Sequence, residues 1–371
     1  MHFLSSSIFR KYFLPGFVFQ SVVIAGGYGT GRELVEYFLK YGPLGGLLGM
    51  FLVTTLLWSI ILAVTFEFSR KFQAYDYRTF FMKLIGRFWF LFEIIYFYSL
   101  FLVLAVIGSA AGILLRDNFG LPYMVGVAIM LVAVGLLTFK GRGWIEKFLS
   151  WWSILLYLVY GAFLIVAILQ FGPEIKRNLG SAVVLPKWVL GGFKYALYNL
   201  GVIPAVFFCL PHIKTRKEAL SAGLLGGLIG IFPGFLFYIA VLGLYPAVLP
   251  QEVPAVFVLE KAGLPLFLIL FQVVLFGTLI ETGTGYIHAV NERIQSALKE
   301  KGKNLPLWLR PLVAAILLAV GLSLSTFGLI NLIAKGYGSL SWGLLVVLFL
   351  PLMTLGLYKI KKNRSLSSIS E

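Results

Sequence analysis

Glu281 sits in the run Thr278-Leu279-Ile280-Glu281-Thr282-Gly283-Thr284-Gly285-Tyr286, with no Lys or Arg within one helical turn. In so apolar a setting a carboxyl group is protonated, is paired from another helix, or faces a polar cavity that holds a cation. Thr278 and Thr282 lie three residues before and one after it, and four from each other, so on a helix their hydroxyls could add oxygens around a hard cation, with Thr284 close by. The alternatives are a structural hydrogen bond between helices for Glu281 and, for the threonines, hydroxyls returned to their own backbone. His288, seven residues on, shares the face of Glu281. It either relays protons or is a satisfied interfacial histidine.

A second constellation is made of backbone. Ala25-Gly26-Gly27-Tyr28-Gly29-Thr30-Gly31 runs directly into Arg32 and Glu33. Each of its four glycines costs a helix roughly 1 kcal/mol relative to Ala, so regular hydrogen bonding should lapse there. Tyr198-Asn199-Leu200-Gly201-Val202-Ile203-Pro204 is a second interruption, because Pro204 has no backbone N–H to give the preceding turn. A broken helix leaves unpaired N–H groups at the start of its second half and unpaired C=O groups at the end of its first. The amides of Gly29 to Arg32 would then face a carboxylate, and the carbonyls near Ile24 to Gly26 an ammonium or a coupling ion, a pairing that suits a zwitterion.

The expected substrate-binding residues are therefore Gly26, Gly27, Tyr28, Gly29, Thr30, Gly31, Asn199 and Gly201, with Tyr98 and Ser99 from the third apolar run. The expected ion-coupling residues are Ala25, Thr278, Glu281, Thr282 and Thr284. Arg32 and Glu36 stand four apart on one helix face and either neutralise each other or act as a gate. Gly27 and Gly31 also have GxxxG spacing, but so many glycines followed at once by charges favour unwinding. Gly42/Gly46, Gly45/Gly49 and Gly226/Gly230 read as packing faces.

The elements that position these groups are long apolar runs. At 60% hydrophobic and 12% charged, 371 residues cannot form one soluble globular domain, in which charge runs nearer 25%. Spanning-length stretches lie at about 15–39, 43–66, 88–115, 120–139, 145–171, 189–211, 219–246, 264–290, 306–327 and 338–358. They lack the alternation of barrel strands and read as ten transmembrane helices of a single domain, 1–371. Arg10 and Lys11 precede a run without a convincing cleavage site, which reads as a retained first helix.

The net charge of +16 comes from short basic clusters between the runs, where it sets membrane orientation and does not point to nucleic acid. Alternate loops and both termini hold 22 Lys and Arg, against seven on the other side. That split places both termini in the cytoplasm and requires an even helix count. One cysteine, Cys209, excludes a disulfide framework and a Cys-based metal cage. The two interrupted helices are the first and the sixth of ten. The chain thus reads as inverted repeats of five helices, about 12–171 and 187–358, followed by a polar tail at 359–371.

The stretch from Gly26 to Phe38 with Tyr41-Gly42-Pro43, the run from Ile280 to Arg293, and the later Phe327-Gly328-Leu329-Ile330 with Lys335-Gly336-Tyr337 resemble the YkvI family of bacterial membrane proteins. The resemblance spans nearly the whole chain. It implies kinship with the amino acid–polyamine–organocation transporters and a LeuT-type fold, in which substrate binds between unwound helices 1 and 6 with helices 3 and 8. The proton-coupling lysine that some relatives carry in helix 5 has no counterpart between Ile154 and Ile168.

The function expected is secondary active transport of a small organic solute, an amino acid or amine, by alternating access coupled to H⁺ or Na⁺. No other cofactor or metal is expected, the bilayer is the surrounding partner, and a monomer is favoured. An enzyme would need a nucleophile with a base, or clustered acidic metal ligands, and no such set is recognisable. A sensor or assembly factor that keeps the fold without transporting is the alternative. It would leave the helix breaks and Glu281 without a reason.

Overall fold

The computed structural model describes residues 6–24, 26–139, 142–300, 306 and 308–367. Among them there is no strand. Helix α1 is divided into α1a (Leu14–Val23) and α1b (Arg32–Tyr37). Then come α2 (Pro43–Phe72), α3 (Phe90–Phe119), α4 (Tyr123–Phe139) and α5 (Arg142–Leu179). The second half starts with α6a (Trp188–Tyr198) and α6b (Asn199–His212), followed by α7 (Arg216–Leu242) and α8 (Pro265–Glu300). The last two are α9 (Leu309–Ser325) and α10 (Leu329–Lys362). Seven of the described helices are long and apolar enough to cross a membrane, and α4 and α9 are shorter apolar helices. With the divided α1 they make the ten expected, and the chain is a multi-span membrane protein. Two short helices, Tyr77–Ile85 and Pro254–Ala262, lie between spans.

The end of the bundle that carries the 70–87, 212–217, 293–300, 308–310 and 359–367 segments is the basic end. The other is the opposite end.

The first break matches the glycine run. Regular helix stops at Val23, Ile24 leaves the helical region (φ −78°, ψ 62°), and Gly26–Gly29 make one isolated turn. Gly31 then takes φ +78°, a left-handed conformation that a residue with a Cβ adopts only at a cost. The second break differs from expectation. At Asn199 the α-helix passes into 14 residues of 3-10 helix, not into an unwound strand of chain. Two prolines, Pro204 and Pro211, withhold donors there, and without a glycine cluster the chain tightens its turn.

The paired glycines pack as their spacing suggests. A Cβ added at Gly223 of α7 would stand 2.2 Å from the Ala63 amide nitrogen of α2, and one at Gly227 would stand 2.2 Å from Ser59 Oγ. Backbone therefore meets backbone along the α2–α7 seam, where the Ser59 hydroxyl also donates to Leu224 O at 2.9 Å. Gly226 meets Leu62 and Gly16, Gly230 meets Phe19, and Gly46 meets Tyr238. Helix α2 also holds α6a, through Trp58 Nε1 to Ala196 O (3.0 Å) and Thr54 Oγ1 to Gly192 O (2.9 Å).

Candidate functional site

A cavity of about 590 Å³ lies beside the breaks. Its walls come from Ser21, Val22 and Ile24 at the end of α1a, and from Gly201, Pro204 and Ala205 of α6b. Tyr96 of α3 and Tyr157 of α5 add aromatic surface. Helix α8 supplies a polar stripe of Thr278, Glu281, Thr282, Gly285 and Tyr286, which continues to Arg293. These positions recur at three- and four-residue steps, so one face of a continuous helix lines the cavity over about four turns.

The cavity reaches the basic end, where Tyr77 and Arg293 border it. There the Arg293 guanidinium lies 4.1 Å from the Tyr77 ring and 3.8 Å from the Tyr96 ring and donates to Glu93 at 2.9 Å. Glu93 is thus the anionic partner at the cavity mouth.

The opposite end is shut. Arg32 donates to Leu249 O (2.7 Å), Gln251 O (3.0 Å) and Glu36 (3.0 Å), and Lys40 also bonds Glu36. Arg32 and Glu36 therefore pair, with the loop after α7 as a third party. The Ala255 amide donates to Thr30 O at 3.1 Å, and Arg116 bridges α3 to Glu252 at 2.8 Å.

The expected substrate residues are divided by this geometry. Gly201 lines the cavity. Tyr28, Gly29, Thr30 and Gly31 are buried and off its wall. Gly29 abuts the Tyr160 hydroxyl, the Tyr28 hydroxyl packs on Gly234, and Gly31 abuts Phe237. Gly26 and Gly27 open the single turn after the break, and Ala25 lies outside the described residues.

Two of the amides expected to meet a carboxylate are used internally: Gly31 N donates to Tyr28 O (2.9 Å) and Arg32 N to Thr30 Oγ1 (3.1 Å). Those two donors are claimed within the break itself, and Ile24 is the part of it that reaches the cavity. Asn199 caps its own helix, donating to Tyr195 O at 3.0 Å. Tyr98 and Ser99 do not border the cavity. The Tyr98 hydroxyl meets Ser339 of α10 at 2.7 Å and Ser99 donates to Tyr96 O at 2.7 Å. Tyr96 borders it instead, and Tyr98, two residues further along the helix, points about 200° away.

Among the ion-coupling residues, Thr278, Glu281 and Thr282 line the cavity together. Thr278 nevertheless donates to Val274 O at 2.9 Å, the backbone return weighed from sequence. Thr284 is fully buried and off the lining, its hydroxyl without a partner, because it falls about 130° from the middle of the α8 stripe. The sequence reading missed Ser21, Tyr96, Tyr286 and Arg293. For Tyr286 and Arg293 the signal was present in the stripe spacing from Thr278. For Ser21 and Tyr96 no local pattern marks the face.

No family model matches the chain. It is 27% identical over 303 residues to the membrane protein YkvI of Bacillus subtilis (strain 168), covering 77% of this chain and 82% of that one. A manganese transporter of Eremococcus coleocola, solved with an aromatic bis-isothiourea substituted compound, matches with a TM-score of 0.53 at 17% identity. That match covers 94% of this chain and 79% of the transporter. A Na⁺-coupled sialic acid symporter in a substrate-bound outward-open state matches with a TM-score of 0.52 at 13% identity, over 95% and 85% of the two chains. The likeness to YkvI agrees with the resemblance in the first and eighth helices. The structural likenesses show the fold, which is all-α and LeuT-type, with interrupted helices α1 and α6.

Proposed function

We propose that the chain is a secondary active transporter of a small organic solute, an amino acid or amine, working by alternating access coupled to H⁺ or Na⁺. The observation that carries this reading is the cavity itself. It sits where both interrupted helices meet α3 and α8, is closed by Arg32 and Glu36 at one end, and reaches Arg293 at the other. Proteins similar in fold include a manganese transporter and a Na⁺-coupled symporter, which supports the transporter class.

With both termini cytoplasmic, the basic end faces the cytoplasm and this is an inward-facing conformation. Tyr96, Tyr157 and Tyr286 offer aromatic faces and Glu281 a carboxylate, a set suited to an ammonium group, by cation–π contact and charge. Glu281 with Thr282 and the Ile24 end of α1a is the proposed coupling site, and Arg32 with Glu36 the gate at the opposite end.

The test is uptake into proteoliposomes across amino acids and amines, with and without a Na⁺ or proton gradient. Accumulation of at least one of these under one gradient is expected. Glu281→Gln should fold and lose gradient dependence, whereas Glu281→Ala should also lose about 1–3 kcal/mol of stability through a cavity and missing hydrogen bonds. No accumulation under any gradient would overturn the transporter reading. Unchanged ion dependence in the Gln variant would remove Glu281 from coupling.

A further inference from the structure

Glu33, the second residue of α1b, is 5% exposed and outside the cavity lining. The Tyr198 hydroxyl donates to its carboxyl group. Among the described residues no Lys, Arg or His nitrogen comes within ion-pair distance of it. Arg32, its neighbour in sequence, is turned to Leu249 O, Gln251 O and Glu36 instead. Glu36 is in turn held by Arg32 and Lys40.

The titratable groups near Glu33 are tyrosines from four helices. Tyr28 and Tyr37 come from the α1 region, Tyr195 and Tyr198 from α6a, Tyr286 from α8 and Tyr337 from α10. Tyr198 stacks on Tyr337 with ring centres 4.8 Å apart, and it lies 5.4 Å from both Tyr37 and Tyr195. Lys194, the cation in α6a, is directed over Trp342.

An ionised carboxylate in this aromatic enclosure would be a buried charge with one neutral donor, an arrangement that is disfavoured unless a proton is taken up. The position of the bond adds a second fact. Glu33 lies in the first turn of the helix after the first break, and Tyr198 is the last α-helical residue before the second. Their hydrogen bond therefore ties α1b to α6a at the two points where each is released from its other half.

We infer that Glu33, held by Tyr198, is a proton-binding site on the opposite-end half of the molecule, occupied when that end is closed and vacated when α1b and α6a separate. On separation water reaches the carboxyl group, which gives its proton to that water and becomes a hydrated carboxylate. On closure a proton from the same water returns to the carboxylate before the tyrosines enclose it. Acid on that face then favours the closed arrangement described above, since a ligand shifts an equilibrium toward the state that binds it better. The inference rests on the alternating-access reading but concerns a group apart from the cavity.

The experiment needs no transported solute. Full-length protein in lipid nanodiscs is examined by infrared spectroscopy in H₂O and D₂O for protonated carboxyl groups, and by hydrogen exchange of residues 28–37 in acid and alkaline buffer, corrected for intrinsic exchange rates. Wild type should show a protonated carboxyl band that Glu33→Gln loses and Tyr198→Phe shifts. Exchange in 28–37 should rise with pH in wild type, and that rise should be lost in Glu33→Gln and retained in Glu281→Gln. A band unaltered by Glu33→Gln, or pH-dependent exchange that persists in that variant, would overturn the proposal. If every solute fails in the uptake assay while these signals hold, the transport reading fails and the proton site stands.

Discussion

The two interrupted helices, the first and the sixth, break by different means. Between α1a and α1b the backbone leaves helical geometry at Ile24, makes one turn, and re-enters through a left-handed Gly31. Between α6a and α6b it never leaves helical geometry and only winds tighter, from Asn199 to His212. Glycines release a chain by widening what each residue can adopt, whereas proline withholds a donor and lets the remaining residues keep turning. The first and sixth helices of one bundle can thus carry one discontinuity that is a joint and another that is a change of pitch.

Substitution at matched glycines puts the largest strain on this contrast. Gly31→Ala places a Cβ at φ +78° and 2.9 Å from a Phe237 ring carbon. Left-handed strain of about 1–2 kcal/mol with overpacking of about 1–3 kcal/mol predicts a loss of roughly 2–5 kcal/mol. At Gly201 the nearest atom to an added Cβ is Leu344 Cδ1 at 3.5 Å, an ordinary contact. Gly201→Ala should therefore hold stability or raise it by up to about 1 kcal/mol. Thermal unfolding of both variants in one detergent tests this, and equal losses would show that the two breaks demand the same of their glycines.

A smaller effect is expected where α1b is clamped. Arg32→Met keeps the bulk of the stem but leaves Leu249 O, Gln251 O and part of Glu36 without their donor. We expect a loss of about 1–3 kcal/mol and faster hydrogen exchange in both α1b and the 243–253 loop. Exchange that quickens in α6a alone would place the clamp in the wrong half. The smallest effect belongs to Pro204→Ala, which returns one N–H to a helix that already runs without it. Stability should shift by less than about 1 kcal/mol, with one further protected amide in α6b. An α6b that converts to α-helix throughout, seen as a lengthened set of i→i+4 contacts by NMR, would show that proline alone sets its pitch.

The fold was legible because lipid leaves the backbone few choices: apolar runs of spanning length must be helices, and basic residues cluster at one end. The first break was legible too, since Gly26 to Gly31 cannot all be accommodated in a regular turn. What lay beyond reach was the direction of side chains. Tyr96, Tyr98 and Ser99 are equally plausible wall residues until the rotation of α3 against α8 is known. That rotation depends on contacts such as Ile107 and Val134 around Gly283, which no local pattern encodes. The amides of Gly31 and Arg32 looked free on paper because a break exposes donors, but Tyr28 O and Thr30 Oγ1 are near enough in the chain to claim them. Glu33 was visible as a charge in the span. Its significance needed the position of Tyr198, 165 residues away.

Where α7 lies on α2, the glycines at 223 and 227 bring main chain against main chain with no layer of side chains between. Such a contact has nothing compressible in it, and parting the two helices would open a void along the whole line. The pair thus supplies a fiducial: spin labels at Leu56 and Leu228, both more than half exposed, should keep one sharp distance while labels joining α7 to α1b or α8 report two. Motion in this molecule can then be measured against a ruler that the glycines themselves hold still.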